Sequence, residues 1–480
     1  MATVSEVLHD VYSRRRIITI AVAALATLAV PLLLPSVPQG QRGIVLAAGV
    51  VIGLVTVMSM PSTRLNSAIV GEHESAGTMR QGVALVLYLS PLILLNIVFP
   101  LVSPTISQQE FAGVSLTHII LASSITTPWL AQAACMPAYR GIAEMMAEKD
   151  MDRIARRFCQ GWLPMFVQSM PLVVLFAVPL WLATGWNLQA VGLYGVLCLL
   201  HLLFVQSLVI ANVGQNRGHW AAAWAAYALA LAVAPTWVWL PPLAAAATQL
   251  WFIRGNLRHL AAMQRLAHQD VAKDLVRGLL LGAVLWADKF VLFLSTDGGF
   301  HVIVVFMAML PAVLAYNFYF VNLAPAVDKS IQGLHAAIQG ESMNELVSTS
   351  GRLARVIDRS VLRTGALGMV LTLACSLVLG SIFPEQLMLA VVVALSSWCF
   401  LMLTMLSYEL DYIGERFAPQ SLGAVHIAVL ALSFWLLPLV SAYGVILLAD
   451  LVLVTIAWVL YKRHWSQPEY TLFWRHAVAW

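Results

Sequence analysis

The sequence predicts an all-α polytopic membrane protein with about fourteen transmembrane helices, and three observations carry that prediction. Of the 480 residues, 60% are hydrophobic and only 10% charged, where an average soluble domain carries about 25% charged residues. The apolar residues come in blocks of about 20, the length that crosses the hydrocarbon layer as a helix. Lys and Arg gather in every second connection between those blocks, as expected of residues that resist translocation.

Taken in order, the spans run approximately 17–35, 43–60, 82–103, 113–136, 162–184, 189–213, 219–235, 237–253, 275–295, 300–324, 362–383, 386–408, 421–441 and 443–461. Only "TWVWLPP" separates the seventh from the eighth, so one bent hairpin is the alternative there to two full spans. If the amino terminus is cytoplasmic, the basic clusters Arg14–Arg16, Arg64 and Arg80, Arg140–Arg157, Arg217, Arg254–Arg277, Lys329–Arg363, Arg416 and Lys462–Arg475 all fall inside. Of the 27 Lys and Arg, the exceptions are Arg42, expected outside, and Lys289, expected within a span. Both termini are therefore expected inside. "SRRRII" before the first span resembles an export signal, but the apolar run is too long for one and no small-residue cleavage site follows, so it reads as an anchor. Cys135, Cys159, Cys198, Cys375 and Cys399 form no outside pair and no CxxC, and read as small packing residues.

Loop lengths have a rhythm with an offset of six spans. The connection 61–81 is similar in length to 254–274, and 138–161 has a long basic counterpart in 325–361. This organisation predicts a six-helix lobe over 1–216, a second over 217–420, and two further helices with a cytoplasmic tail over 421–480. Internal duplication of this kind is a recurring transporter design, with substrate handled between the halves. Two cytoplasmic connections read as amphipathic helices. One places Ile142, Met145, Met146 and Ile154 on an apolar face; the other does so with Ile331, Leu334 and Ile338, then Leu346 and Leu353. They lie on anionic lipid, splint the neighbouring spans, or dock a cytoplasmic partner through Arg153, Arg156, Arg157, Arg352 and Arg355.

The ninth span holds Asp288 beside Lys289. A charge at membrane depth costs about 2.5–3.5 kcal/mol on insertion scales, so both side chains should face protein or water. Neighbours on a helix point about 100° apart, which predicts that the two address different helices rather than each other. Lining a polar cavity for substrate or coupling ion is one reading, and a structural pair that fixes packing is the other. Asn96, His118, Gln132, Gln168, His201, Gln206, Asn317, His426 and Asp450 are further polar groups at depth. Of these, His118, His201, Gln206 and Asn317 are candidates for the same cavity, and each alone also suits an interhelical hydrogen bond. Trp286 and Tyr316 are candidates for stacking on sugar rings. Asp450, in the last span, is expected to serve packing or to meet solvent near the outer face. Trp129, Trp162, Trp181, Trp186, Trp237 and Trp239 are expected in the interfacial belts.

There is no P-loop, HExxH, GxSxG or clustered His/Cys set, so no ATP hydrolysis by that route, no metal, no cofactor and no enzymatic activity are expected, nor any nucleic-acid partner. Within "GLLLGAVLWADKFVLFL", Trp286, Asp288, Lys289 and Phe290 match a Trp-x-Asp-Lys-Phe motif. The chain here resembles the Pel exopolysaccharide membrane transporter family of the multidrug/oligosaccharidyl-lipid/polysaccharide flippase superfamily. "LHAAIQGESMNEL" is similar to that family's next connection, and "LSYELDYIGER" echoes a later segment. The chain departs from the family pattern at Leu294–Ser295 and at "NLAPAVDKS". The resemblance implies two six-helix lobes alternating access to a central polar cavity. It also implies outward movement of a polysaccharide or lipid-linked saccharide, and a cytoplasmic glycosyltransferase as partner. Lys289 would contact substrate or balance Asp288, and Asp288 would be the protonatable element. The alternatives are a cation-coupled drug or lipid exporter of the same fold, and a non-transporting scaffold of a synthase complex.

Overall fold

The computed structural model describes residues 90–146, 150–214, 216–264, 266–340 and 342–471. The first two expected spans, the start of the third, and Arg14–Arg16, Arg42, Arg64, Arg80, Lys149, Arg265 and Arg475 lie outside the described residues, as do the side chains of Asn96 and Met146. Apart from one hairpin of two-residue strands, every regular element among the described residues is helical. Contacts divide the chain into two compact units, Leu87–Phe300 with Leu430–Trp435, and His301–Val429 with Leu436–Trp480. In the first of these, the residues just after 216 pack back onto the helices before them.

The first unit begins with α1 (Ser90–Ser107), followed by β1 (Glu110–Phe111) and β2 (Val114–Ser115). Their turn has positive φ at both Ala112 and Gly113, the twist that suits a two-residue hairpin. Then come α2 (Leu116–Met146), α3 (Met151–Thr184), α4 (Leu188–Ser207), the single turn α5 (Val209–Val213), α6 (Arg217–Val233) and α7 (Leu240–Phe252). A 3₁₀ stretch over Arg254–Ala262 leads to α8 (His268–Thr296). Local chemistry sets these ends. The Asp150 carboxylate accepts from the Asp152 and Arg153 N–H groups, each at 3.1 Å, and starts α3. Gly185, at φ 65°, ends it with a 3.0 Å bond from its N–H to the Trp181 carbonyl. Asn187 then caps α4 through the Ala190 N–H at 2.9 Å. α6 and α7 form a hairpin that packs on α1 and α4.

The closest helix contact in this unit joins α2 to α8. A Cβ on Gly278 would lie 2.6 Å from Ala133 Cα, and one on Gly282 would lie 2.9 Å from Gln132 Cβ. Only glycine lets the two backbones meet this way. Trp129 stitches the contact by donating its indole N–H to the Leu279 carbonyl at 2.7 Å.

In the second unit α9 (Val302–Phe318) passes through a π-helical turn, Tyr319–Leu323, into α10 (Ala324–Gly340). α11 (Met343–Ile382) starts at a Ser342/Glu345 capping box and runs 40 residues, about 60 Å at 1.5 Å per residue. α12 (Leu387–Tyr412) is the core helix, buried along most of its length against α9, α11 and α14. α13 (Phe417–Leu436) and α14 (Leu439–Trp465) complete the order.

Among the described residues nine helical segments are long and apolar enough to cross a membrane: Leu116–Ile142, Met151–Thr184, Leu188–Val213, His268–Thr296, Val302–Leu323, Asn344–Ile382, Pro384–Tyr412, Phe417–Leu436 and Leu439–Trp465. They correspond one for one to the fourth to sixth and ninth to fourteenth expected spans. The seventh and eighth are the α6–α7 hairpin, whose 17 and 13 residues give about 25 and 20 Å, short of the ~30 Å hydrocarbon layer.

Of the readings open for the amphipathic connections, the structure shows the one in which they splint the neighbouring spans, and it corrects the expectation for the tryptophan belt. Ile142 and Ile154 sit in a core with Phe158, Cys159, Trp162, Val209 and Ile253, and Met145 packs against it, because α2 and α3 continue straight past the spans and cover each other. Ile331, Leu334 and Leu353 are likewise buried, since α10 folds back against α11. The tryptophan belt is half right. Trp181, Trp237 and Trp239 are exposed, whereas Trp129, Trp162 and Trp186 are buried. The indole N–H groups of Trp129 and Trp162 are spent on interhelical bonds, which draws those rings inward.

Candidate functional site

The motif helix α8 runs against α2 and α3, and its aromatic and charged positions separate by face. Phe290 enters an edge-to-face cluster with Phe176 of α3, ring centres 5.1 Å apart, and Trp129 of α2, 6.1 Å apart. Trp129 and Phe176 close the triangle at 4.9 Å. Just before Phe290 in the chain, Asp288 is 1% exposed and Lys289 2%. Lys289 Nζ lies 2.7 Å from Asp288 Oδ2, so the two form an ion pair with each other. The expectation that they address separate helices is corrected here. The 100° step between neighbours applies to Cα–Cβ directions, and four methylenes let the ammonium swing back to the carboxylate. At this burial the attraction outweighs the bending. Trp286 is half-buried.

His118, His201 and Gln206, in the same unit as this pair, have surroundings of their own. His118 is exposed at the start of α2 and lies beside Gly298, about 15 Å beyond Asp288 along the helix. His201 Nδ1 is 2.8 Å from the Leu197 carbonyl, an acceptor only, so that nitrogen carries the hydrogen. Its Nε2 accepts from the Tyr227 hydroxyl of α6 at 3.0 Å. Gln206 accepts from Trp162 of α3 at 3.2 Å and donates to the Ala134 carbonyl of α2 at 3.1 Å. His201 and Gln206 thus tie α4 to its neighbours. Gln168 and His268 do the same for α3 and α8 at 2.9 Å. Asn317 is half-buried on α9 in the second unit.

Arg153 and Arg156 are exposed on the first turns of α3, and Arg352 and Arg355 on those of α11. Arg157 is half-buried and donates to the Gly141 carbonyl at 3.3 Å. Arg355 donates back to the Gly351 carbonyl at 3.1 Å.

Three polar pairings escaped the sequence. Arg140 of α2 holds Asp274 of α8 at 2.5 Å, with Asp270 further off at 3.9 Å. His426 Nδ1 and Asp450 Oδ1 meet at 2.8 Å between α13 and α14, both side chains fully buried. Asp450, expected for packing or for solvent near the outer face, takes the packing role. In α12, Glu409 is 0% exposed and accepts from the Tyr319 hydroxyl of the π-helical turn. Its position one residue beyond the expected end of the twelfth span was the only sequence signal, and it reads there as a loop acid.

The helices themselves define the class: this is an all-α polytopic membrane protein. No family model and no curated protein matches the chain. Among solved structures it is similar to an inward-facing multidrug resistance MATE family transporter of the MOP superfamily, at 13% identity and TM-score 0.38 over 86% of this chain and 98% of that one. It is similar at the same 13% and 0.38 to a crystal structure of a MATE mutant, over 89% of this chain and 98% of the other.

Proposed function

We propose that this protein exports or flips a polysaccharide or lipid-linked saccharide across the cytoplasmic membrane by alternating access. The supporting observation is the buried Asp288–Lys289 pair on a membrane-spanning helix. Apolar residues of similar volume would hold helices together equally well or better than a buried ion pair. Ionisable groups at membrane depth therefore default to substrate or ion handling. A saccharide offers hydroxyls that both donate and accept, and apolar ring faces. Lys289 supplies donors, Asp288 acceptors, and the half-buried Trp286 a ring to stack on. His118 and Asn317 remain candidates for additional polar contacts. His201 and Gln206 contribute through the helix contacts they hold. Arg153, Arg156 and Arg157 on α3, and separately Arg352 and Arg355 on α11, are the basic positions offered to a cytoplasmic glycosyltransferase or anionic lipid.

The test uses variants that separate charge from fold. Asp288→Asn and Lys289→Ala should each abolish appearance of polymer outside the cell at normal membrane abundance. Each removes one member of the pair, so the double variant Asp288→Leu with Lys289→Met, which removes both charges and keeps the side chains' branching and length close to the original, is decisive. It should fold with near-normal thermal stability and still fail to export. Normal export by that double variant would make the pair structural and remove the reading.

A further inference from the structure

We propose that Glu409 is an exchangeable proton-binding site, bordered by phenols that reach solvent. The carboxyl is fully buried on α12, three residues before that helix ends. One oxygen, Oε1, accepts from Tyr319. The other, Oε2, is buried and has no hydrogen-bond partner among the described residues. An ionised carboxylate is acceptor-only with about four lone-pair sites, and here a single donor reaches it. Among the described residues, every other titratable group that bears on it is acidic or neutral. Asp328 of α10 acts on it electrostatically, as do Tyr408 and Tyr412 of its own helix and Tyr461 of α14. Lys462 is committed to Asp358 of α11 at 2.6 Å, and His464 faces Glu415 at 3.6 Å. No Lys, Arg or His lies within ion-pair distance of Glu409 among the described residues. A buried charge with neither counter-ion nor full hydrogen bonding is strongly unfavourable, and taking up a proton removes it.

Ring contacts join the carboxyl's partner to exposed residues of the same unit. Asp328 is exposed and accepts from the exposed Tyr412 hydroxyl at 3.1 Å. Tyr412 and Tyr408 have ring centres 6.1 Å apart, and Tyr408 and Tyr319 6.4 Å apart. Tyr319 reaches Glu409. The π-helical turn, which carries Tyr319 as its first residue, adds one residue to the helical turn and so aims the phenol at α12. Trp465 anchors the same point from α14 by donating to the Glu409 carbonyl at 3.1 Å. The site lies wholly within the second unit and does not depend on what, if anything, the protein carries.

The experiment is labelling of the purified protein in lipid vesicles with dicyclohexylcarbodiimide, which reacts with the protonated acid, read by mass spectrometry of the α12 peptide across pH. Glu409 should label at low pH, and the rate should fall about tenfold per pH unit above its midpoint, as a single titrating group does. Tyr319→Phe deletes the one hydrogen bond that stabilises the carboxylate, so labelling should persist to higher pH. Infrared difference spectra between the two ends of the titration should show a carboxylic C=O band that Glu409→Gln lacks. Absence of both labelling and that band at every pH, or labelling whose pH dependence is unchanged in Tyr319→Phe, would overturn the proposal.

Discussion

Asp274 is a carboxylate almost buried on α8, and Arg140, about one-third exposed, reaches across from α2 to hold it. The two members of such a pair are not equivalent. Arg140→Ala leaves a buried acid without its cation, and a loss of about 2 kcal/mol is expected, below the 3–5 kcal/mol of a wholly buried pair because water reaches the arginine. Asp274→Ala frees an arginine that can turn to solvent, so it should cost clearly less. Denaturant unfolding in detergent ranks the two, and the reverse order would show that Arg140 does not act through Asp274. Asp288 and Lys289, and the acid of Glu409, belong to the same scale. Residue type and depth could be read for the first two, because both sit mid-span. Their mutual contact could not, since it depends on side-chain torsions that the helical wheel leaves free.

Helices meet where side chains are small, and α2 and α8 meet at Gly278 and Gly282. Gly278→Val would place its Cβ into the backbone of Ala133, against an atom with no freedom to move aside. The helices must then separate, giving up the Trp129–Leu279 bond and part of the aromatic triangle, and a loss of about 1–3 kcal/mol is expected. Gly444 on α14 is the control, with nothing within 4 Å of a built Cβ. Gly444→Ala should leave stability unchanged or raise it by about 0.5–1 kcal/mol through helix propensity. Melting temperatures of the two variants check both. Positions of the long helices were legible because twenty apolar residues between basic turns have few other fates. The π-helical turn was not, since "YFVNL" carries no breaker. Nor was the covering of the amphipathic faces, since a helix that suits lipid also suits a protein groove.

For the whole molecule, alternating connections predict which ends face which compartment. Single cysteines replacing the exposed Gln109 and Glu385 should react with an impermeant thiol reagent added to intact cells, and cysteines replacing Arg258 and Arg352 only after the membrane is opened. The native cysteines are free and mostly buried, so they give little background. Labelling of both sets from outside would break the assigned orientation. The α6–α7 hairpin also belongs to this scale: it follows the sixth span in sequence and packs on α1 and α4.

The sequence alone determined the membrane class, the places of the long helices and the alternation of basic connections. Each follows from local composition, since the cost of placing a charge or an open peptide group in hydrocarbon is met residue by residue. Only the tertiary structure decided which polar groups meet. Arg140 finds Asp274 across 134 residues, Tyr319 finds Glu409 across 90, and His426 finds Asp450 across 24. Such partners are selected by the approach and rotation of whole helices, and no spacing in the chain encodes either.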